Sequence, residues 1–504
     1  MGFLSLPARV GSRPQAPVHE TSGADAFLWF LRFIYDAVGC LCGAYRRASL
    51  CVAHAPLPWG RSQQKSVFAF GPEYNRIVLG DTTTYRTTPQ MAGGPRDSAL
   101  RRIRHGLTAM NGEEHRQQRQ LVMPLFTKQA VDGYRDATVA ITQDVVDSWP
   151  TDRPFDMAQE MRRLTLRTSS HVLFGRDEPS LADAMGRMIQ ELFERNFQPG
   201  CLLFPFDWPG TPFRRLLRHA DKIEQVLWQR IHHRRAHPTN QPDILDRLIQ
   251  AHTAGAMSDT ALLGQATILF AASYETQANS MTWTLLLLAQ HPQVAQDLLD
   301  ELAILQGDAP TVEQLEQLPL LDAVIRESMR LLPSVPYTIR AVTQPTELSG
   351  LPLNIEDRVL CSHYVTHRMP EIYAHPARFD PSRWFTIRPT PYEYLPFSAG
   401  QRVCIGRYMA MMMMKISLAL IVQRRSLRVA DRTRIDRSVK VTMGPRRGLP
   451  MWATAPGQRW QTTELAGNIN EMVDWARKTS TYPTHLSPQS AASKPSELPR
   501  LTSA

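Results

Sequence analysis

Cys404 stands near the end of the stretch Phe397–Gly406, which reads FSAGQRVCIG, just ahead of a long helical pattern from Arg407 towards Val422. A cysteine at a helix N-terminus has its thiol pKa lowered by the unpaired N–H groups there, and a thiolate so placed can ligate a metal whose properties those N–H groups tune. Gly400 permits backbone angles closed to other residues, and Gly406 lets a flat ligand come close to the chain. Arg402, two residues before the cysteine, offers a planar cation to an anionic group. The plain alternative is a buried, inert cysteine in a glycine-rich loop.

Other residues have types and spacings that could do chemistry. Glu275 and Thr276 lie midway along the longest clean helical pattern, Asp259 to Gln290. An acid beside an alcohol can deliver protons, although a threonine bonded back to its own helix next to a solvated glutamate reads equally well. His115 and Arg119 are four apart and share a helix face. Glu327 and Arg330, three apart in IRESMRLLPSVP, can pair, but such pairs decorate many solvent faces. Arg340 follows Pro336, and Arg383 lies in HPARFDPSRW further on.

Phe397, Gly400, Arg402, Cys404 and Gly406 spell FxxGxRxCxG, and with the other landmarks in this order the chain, from about residue 25 to 455, resembles the cytochrome P450 family. The resemblance implies haem b with Cys404 as its thiolate axial ligand. It implies that His115, Arg119, Arg340 and Arg402 meet the haem propionates, that Phe397, Gly406 and Ala272 line the haem, and that Glu327, Arg330 and Arg383 form a buried structural network. It makes Glu275 and Thr276 the catalytic acid–alcohol pair over the haem. Three positions depart from the family pattern: Ser273 where Gly is usual, Gln277 where Thr or Ser is usual, and Met413 where Glu is common. Ala272, Val335-Pro336-Tyr337 and the stretch from Tyr85 to Thr108 match places where the family builds its substrate pocket.

The implied function is a monooxygenase that inserts one atom of O2 into a small lipophilic substrate, in the setting of secondary metabolism. Electrons are expected from a separate ferredoxin, flavodoxin-type protein or reductase, since no flavin or iron–sulfur segment is fused. Arg116, Arg402, Arg407 and Lys415 are the residues expected to dock an acidic donor. The alternatives are a reductase-independent haem-thiolate peroxygenase or isomerase and, in another class, a non-catalytic haem or lipid binder.

The elements that must position these residues read as mainly α with a minor β region (α+β), in one helix-rich domain. The 504 residues are 43% hydrophobic and 21% charged, an ordinary globular balance. The net charge of +10 comes without a nucleic-acid motif, so no nucleic-acid partner is expected. Six scattered cysteines without CxxC spacing argue against a disulfide framework or a zinc site. Residues 1–23 read as a flexible lead-in, 24–455 as the haem-thiolate domain, and 456–504 as a mostly disordered tail with a short helix at Glu464 to Arg477. Ala24 to Tyr45 is apolar but broken by Asp25, Arg32 and Asp36, so it reads as a packed helix, with a membrane-surface helix as the minority view. A cytoplasmic monomer is expected, with peripheral membrane contact as the variant. Strands are expected near Arg47 to His54 and Ser66 to Phe70, a long loop from Tyr85 to Thr108, and a closing hairpin over Val439 to Ala453 about Gly444–Gly448.

Overall fold

The computed structural model describes residues 8–10, 16–54, 64–88, 93–174, 179–198, 200–201, 204–238, 243–458 and 460–475. The N-terminal part builds most of a sheet. Strand β1 (Ala16–Ser22) precedes helices α1 (Gly23–Tyr35) and α2 (Ala37–Tyr45), and strands β2 (Ala48–His54), β3 (Ser66–Ala69) and β4 (Tyr85–Thr87) follow. Two later strands, β5 (Tyr337–Val342) and β6 (Arg358–Ser362), complete six in the order β1–β2–β3–β6–β5–β4. β1 runs parallel to β2 and β3 parallel to β6, while β5 is antiparallel to both its neighbours. This register brings Thr87 opposite Arg340.

The site rests on five helices: α3 (Gly112–Val122), α4 (Met157–Phe174), α5 (Asp259–Gln290), α6 (Pro319–Leu331) and α7 (Arg407–Arg424). Helix α5 has the bounds the sequence pattern predicts. The Ser258 hydroxyl caps it by accepting from the Ala261 amide, and it stops ahead of Pro292. It is apolar or small on nearly every face, as a helix threading a core must be. Its long stretches of buried residues are interrupted at Ile268, Ala271–Ser273 and Glu275–Thr276.

Five expectations need correction. The flexible lead-in is wrong for residues 16–22, whose alternating text pairs along β2. The disordered tail is wrong as far as residue 475: Trp460, Leu465, Ile469, Met472 and Val473 are buried, and Asp474 bridges to Arg378. Average polarity there masks a few well-spaced apolar anchors. The expected helix at Glu464 to Arg477 is one tight turn, Asn468–Glu471; residues 1–7, 11–15 and 476–504 lie outside those described. The loop from Tyr85 to Thr108 contains β4 and a short helix, Ala99–Arg102. The closing hairpin is really two pairings: β8 (Arg437–Val439) with β9 (Met443–Pro445), and β7 (Ser426–Val429) with β10 (Pro450–Thr454).

On α1, Ala26 and Trp29 are buried, whereas Phe27, Leu28, Leu31 and Ile34 face outward. Among the described residues, no helix is long and apolar enough to cross a membrane.

Candidate active site

The Cys404 loop is held from both sides. Gly400 has φ +67°, and a Cβ there would come within 2.2 Å of the Leu79 carbonyl oxygen, so this glycine is required both for angle and for space. Gly406 has ordinary backbone angles, and a Cβ on it would meet only the Phe126 ring at 3.9 Å. Its bareness leaves room beside the sulfur. The Cys404 amide donates to the Phe397 carbonyl at 2.8 Å, closing the loop.

Five of the six cysteines are buried and Cys404 is exposed. Yet burial raises its thiol pKa, with the Gly406 amide and the Arg119 and Arg407 charges pulling the other way. A side chain that is open by area but enclosed by protein atoms lines an internal space. The lowered pKa expected from the helix N-terminus is therefore not seen, because desolvation outweighs the N–H groups.

The opposite wall is α5. Leu107 donates its amide to Gln265 Oε1 at 3.2 Å, and Arg402 donates to the Leu107 and Met110 carbonyls at 3.3 and 2.7 Å, which ties the cysteine loop to one end of the helix. Near the middle of the helix Gln277 meets the Met413 sulfur on α7 at 3.8 Å. Gln265 and Gln277 are separated by about 18 Å at 1.5 Å per residue. Between them Ala272 is exposed, and Ile268, Ala271, Ser273, Glu275 and Thr276 are half-exposed, a notch centred on Ala272. Met413 itself is buried.

Four basic side chains converge near the cysteine loop. His115 and Arg340 are buried, and Arg119 and Arg402 are half-buried. Among the described residues, the hydrogen bonds of the three arginines end on backbone carbonyls or on Asn111 Oδ1, and none ends on a carboxylate. Arg402 Nε is buried without a partner. The group is self-repelling: burial, Arg340 and Arg119 pull Arg402 down to about 10, and burial, Arg402 and Arg119 pull His115 down to about 4. Such a cluster calls for an anion with more than one acidic group. With the open sulfur and the notch, it fits a flat dianionic metal chelate, which is what haem is.

The acid and the alcohol are not brought together. Thr276 donates its hydroxyl to the Ala272 carbonyl at 2.8 Å, and Ser273 bonds back to Phe270 at 2.8 Å. Glu275 is half-buried; burial raises its pKa, and Thr442, Arg162 and Lys440 offset part of that rise.

The scaffold residues do meet. Glu327 and Arg330 are fully buried, and Glu327 accepts from Arg330 at 2.8 and 2.9 Å and from Arg383 at 2.9 Å. Trp384 and the Asp380 amide add bonds at 3.1 and 3.0 Å that the sequence reading missed. A tryptophan next to the matching arginine was the available signal. Asn111 was missed too: it accepts from Arg402 at 2.9 Å and from the Thr87 amide at 2.9 Å, joining β4 to the cysteine loop. Of the expected docking residues, Arg407 and Arg116 are exposed, whereas Arg402 turns inward and Lys415 is taken up by Asp322 at 2.7 Å.

Comparison with known proteins agrees with this geometry. The family model described as Cytochrome P450 matches residues 57–449. The chain belongs to the cytochrome P450 family. As a P450 monooxygenase it is similar to cyclooctat-9-en-7-ol 5-monooxygenase of Streptomyces melanosporofaciens, 30% identical over 376 residues, covering 72% of this chain and 80% of that protein. It is also similar to cyclooctatin synthase of the same organism, 31% identical over 395 residues, covering 75% and 84%. Among solved structures, a cyanobacterial P450 with retinoic acid bound shares the fold at a TM-score of 0.73 and 22% identity, covering 88% of this P450 and all of that chain (100%).

Proposed function

We propose that this P450 oxygenates a small lipophilic molecule, using electrons from a separate donor protein that docks over Arg407 and Arg116. Cyclic alcohols of the kind named for the first of the two Streptomyces relatives are the first substrates to try. The observation that carries the reading is the exposed Cys404 sulfur and the notch at Ala272, framed by four basic groups without carboxylate partners among the described residues.

Haem held here would supply dioxygen activation, tuned by the Cys404 thiolate. The protein does the rest. Cys404 provides the thiolate, and the Gly406 amide steadies the sulfur. His115, Arg119, Arg340 and Arg402 would hold the propionates. The Thr276 hydroxyl donates its hydrogen bond to the Ala272 carbonyl, so its oxygen lone pairs are free to accept from a water in the notch. Glu275 carries protons to that water. The small side chains Ala271, Ala272 and Ser273 leave room for the substrate and, when it is bound, exclude bulk water.

The test is the carbon monoxide difference spectrum of the reduced protein, followed by a screen of cyclic alcohols for a spin-state shift. A red-shifted thiolate Soret band in the wild type, lost in Cys404→Ala, is expected. A wild-type protein lacking that band overturns the haem-thiolate reading. Turnover with hydrogen peroxide alone, equal to that with donor and oxygen, would replace the monooxygenase by a peroxygenase.

A further inference from the structure

Helix α6 ends at Leu331, and the chain passes through Pro333, Ser334, Val335 and Pro336 before β5 begins at Tyr337. Ser334 is buried. Its hydroxyl lies against α5 and donates to the Thr276 carbonyl at 2.9 Å. The Ser280 hydroxyl meets the Ser334 hydroxyl as well. A hydroxyl has one proton to give. The Ser334 proton goes to Thr276, so Ser280 is the donor between the two serines. Thr276 is thereby held at both of its polar ends. Its hydroxyl donates to the Ala272 carbonyl inside the helix, and its carbonyl accepts from a side chain outside it.

The Ser334 backbone is tied to the same stripe of α5. The Ser334 carbonyl accepts from the Met443 amide at 2.7 Å, and the Met443 carbonyl accepts from Trp283 Nε1 at 3.0 Å. Ser280 and Trp283 lie four and seven residues beyond Thr276, which is the spacing of one helix face.

Beyond Ser334 the chain is held just as firmly to the sheet. The Val335 carbonyl accepts from His363 Nδ1 at 3.1 Å, the Pro336 carbonyl accepts from the Tyr364 amide at 3.0 Å, and Tyr337 pairs with Ser362. The same run then delivers Arg340 to the basic cluster beside the cysteine loop. Ser334 therefore stands where the wall that carries Arg340 meets the wall that carries the notch.

We propose that Ser334 is a positioning residue for the oxygenation: its hydroxyl ties the Thr276 turn of α5 to the head of β5 and so fixes the notch at Ala272 relative to Arg340 and the cysteine loop. The inference rests on the reading of the notch and Thr276 as the wall of the site that faces Cys404. Removing this hydroxyl frees the Thr276 carbonyl from outside the helix and leaves every residue of the notch in place.

The experiment compares Ser334→Ala and Ser280→Ala with the wild-type holoenzyme. Amide hydrogen exchange is followed by mass spectrometry, and the infrared C–O stretch of carbon monoxide bound to the reduced protein reads the contacts and polarity at the notch. Ser334→Ala is expected to speed exchange across 272–280 about fivefold, the effect of losing one hydrogen bond, with exchange over α7 unchanged, and to shift the C–O stretch. Ser280→Ala keeps the bond from Ser334 to Thr276 and is expected to leave both signals near the wild type. Unchanged exchange in Ser334→Ala overturns the proposal. Faster local exchange with an unmoved stretch also overturns it, because the turn then loosens without moving the notch. Faster exchange over the whole chain with a lower Tm marks a core serine and nothing more, and a Ser280→Ala protein that matches Ser334→Ala shows that the bond to Thr276 is not what counts; either result overturns it. The thiolate Soret band is recorded on the same samples. If the wild type lacks that band, the haem reading fails, and the exchange data alone decide on the tie from Ser334 to Thr276.

Discussion

Replacing Glu327 by glutamine keeps the shape of the side chain and removes its charge. The carboxylate accepts five hydrogen bonds: two from Arg330, one each from Arg383 and Trp384, and one from the Asp380 amide. Glutamine has one oxygen. If that oxygen keeps facing Arg330 Nη2, Arg383 and Asp380, the amide nitrogen confronts Arg330 Nε and Trp384 Nε1, donor against donor. Two bonds are lost, and Arg330, 0% exposed, keeps its charge against three backbone carbonyls, of His367, Pro376 and Arg378. Removing one partner of a buried ion pair costs about 3–5 kcal/mol, against a total stability of about 5–15 kcal/mol.

The loss should also reach the cysteine loop. Arg330 donates to the His367 carbonyl at 2.8 Å, the Leu395 amide donates to His367 Nε2 at 2.7 Å, and two residues on Phe397 accepts from Cys404. Urea unfolding, followed in parallel by far-ultraviolet circular dichroism and by haem absorbance, checks both points. Both signals are needed, since a bound cofactor breaks two-state behaviour. Glu327→Gln should lose its thiolate absorbance at lower urea than its helix signal. The acid side has a definite sign as well. Burial pushes the Glu327 carboxyl up, but Arg330 and Arg383 more than offset this and leave it below its ordinary value. Its contribution is therefore present above the ordinary carboxylate range and disappears as pH falls through the folded value. The gap between wild type and variant should narrow in acid. A loss under about 1 kcal/mol at neutral pH would refute the reasoning, since that is the range of an exposed pair.

Two more outcomes follow from the packing. His115 titrates at about 4 in the folded chain against an ordinary value of 6.5, so the folded state binds fewer protons and its stability falls as pH drops from 6.5 towards 4. A haem propionate beside His115 raises that value, so in this window His115 should take up protons as haem binds, offsetting the proton released when the Cys404 thiol becomes a thiolate; His115→Gln should make the net release larger, read by titration in weak buffer. Gly264 packs against the backbone of the 99–107 segment, where a Cβ would come within 2.1 Å of the His105 carbonyl oxygen. Gly264→Ala should cost about 1–3 kcal/mol and weaken substrate binding, read as a lower Tm and a smaller spin shift; an unchanged Tm would show that the loop moves freely.

Much of the scaffold was legible because it is written locally. Helix α5 has its cap, its length and its stop in consecutive residues, and the FxxGxRxCxG loop has its spacing in ten. The Glu327–Arg330 pair was legible as a pair, but its burial was not, since a helix face carries no label for what covers it. The tail beyond residue 455 was misread because a few apolar anchors contribute little to an average of polarity. β1 was misread because a strand paired only along one edge has a weak pattern.

The sequence by itself determined that Cys404 lies in a tight glycine-bounded turn at the head of α7, and that an acid and an alcohol stand midway along α5. Those are properties of spacing, and spacing is preserved in any conformation. Only the tertiary structure decided where the charges point. Arg402 turns inward because the Leu107 and Met110 carbonyls and Asn111 await it, and Lys415 leaves the surface because Asp322 is within reach. A hydrogen bond depends on an ångström of separation between atoms, and no sequence distance measures that.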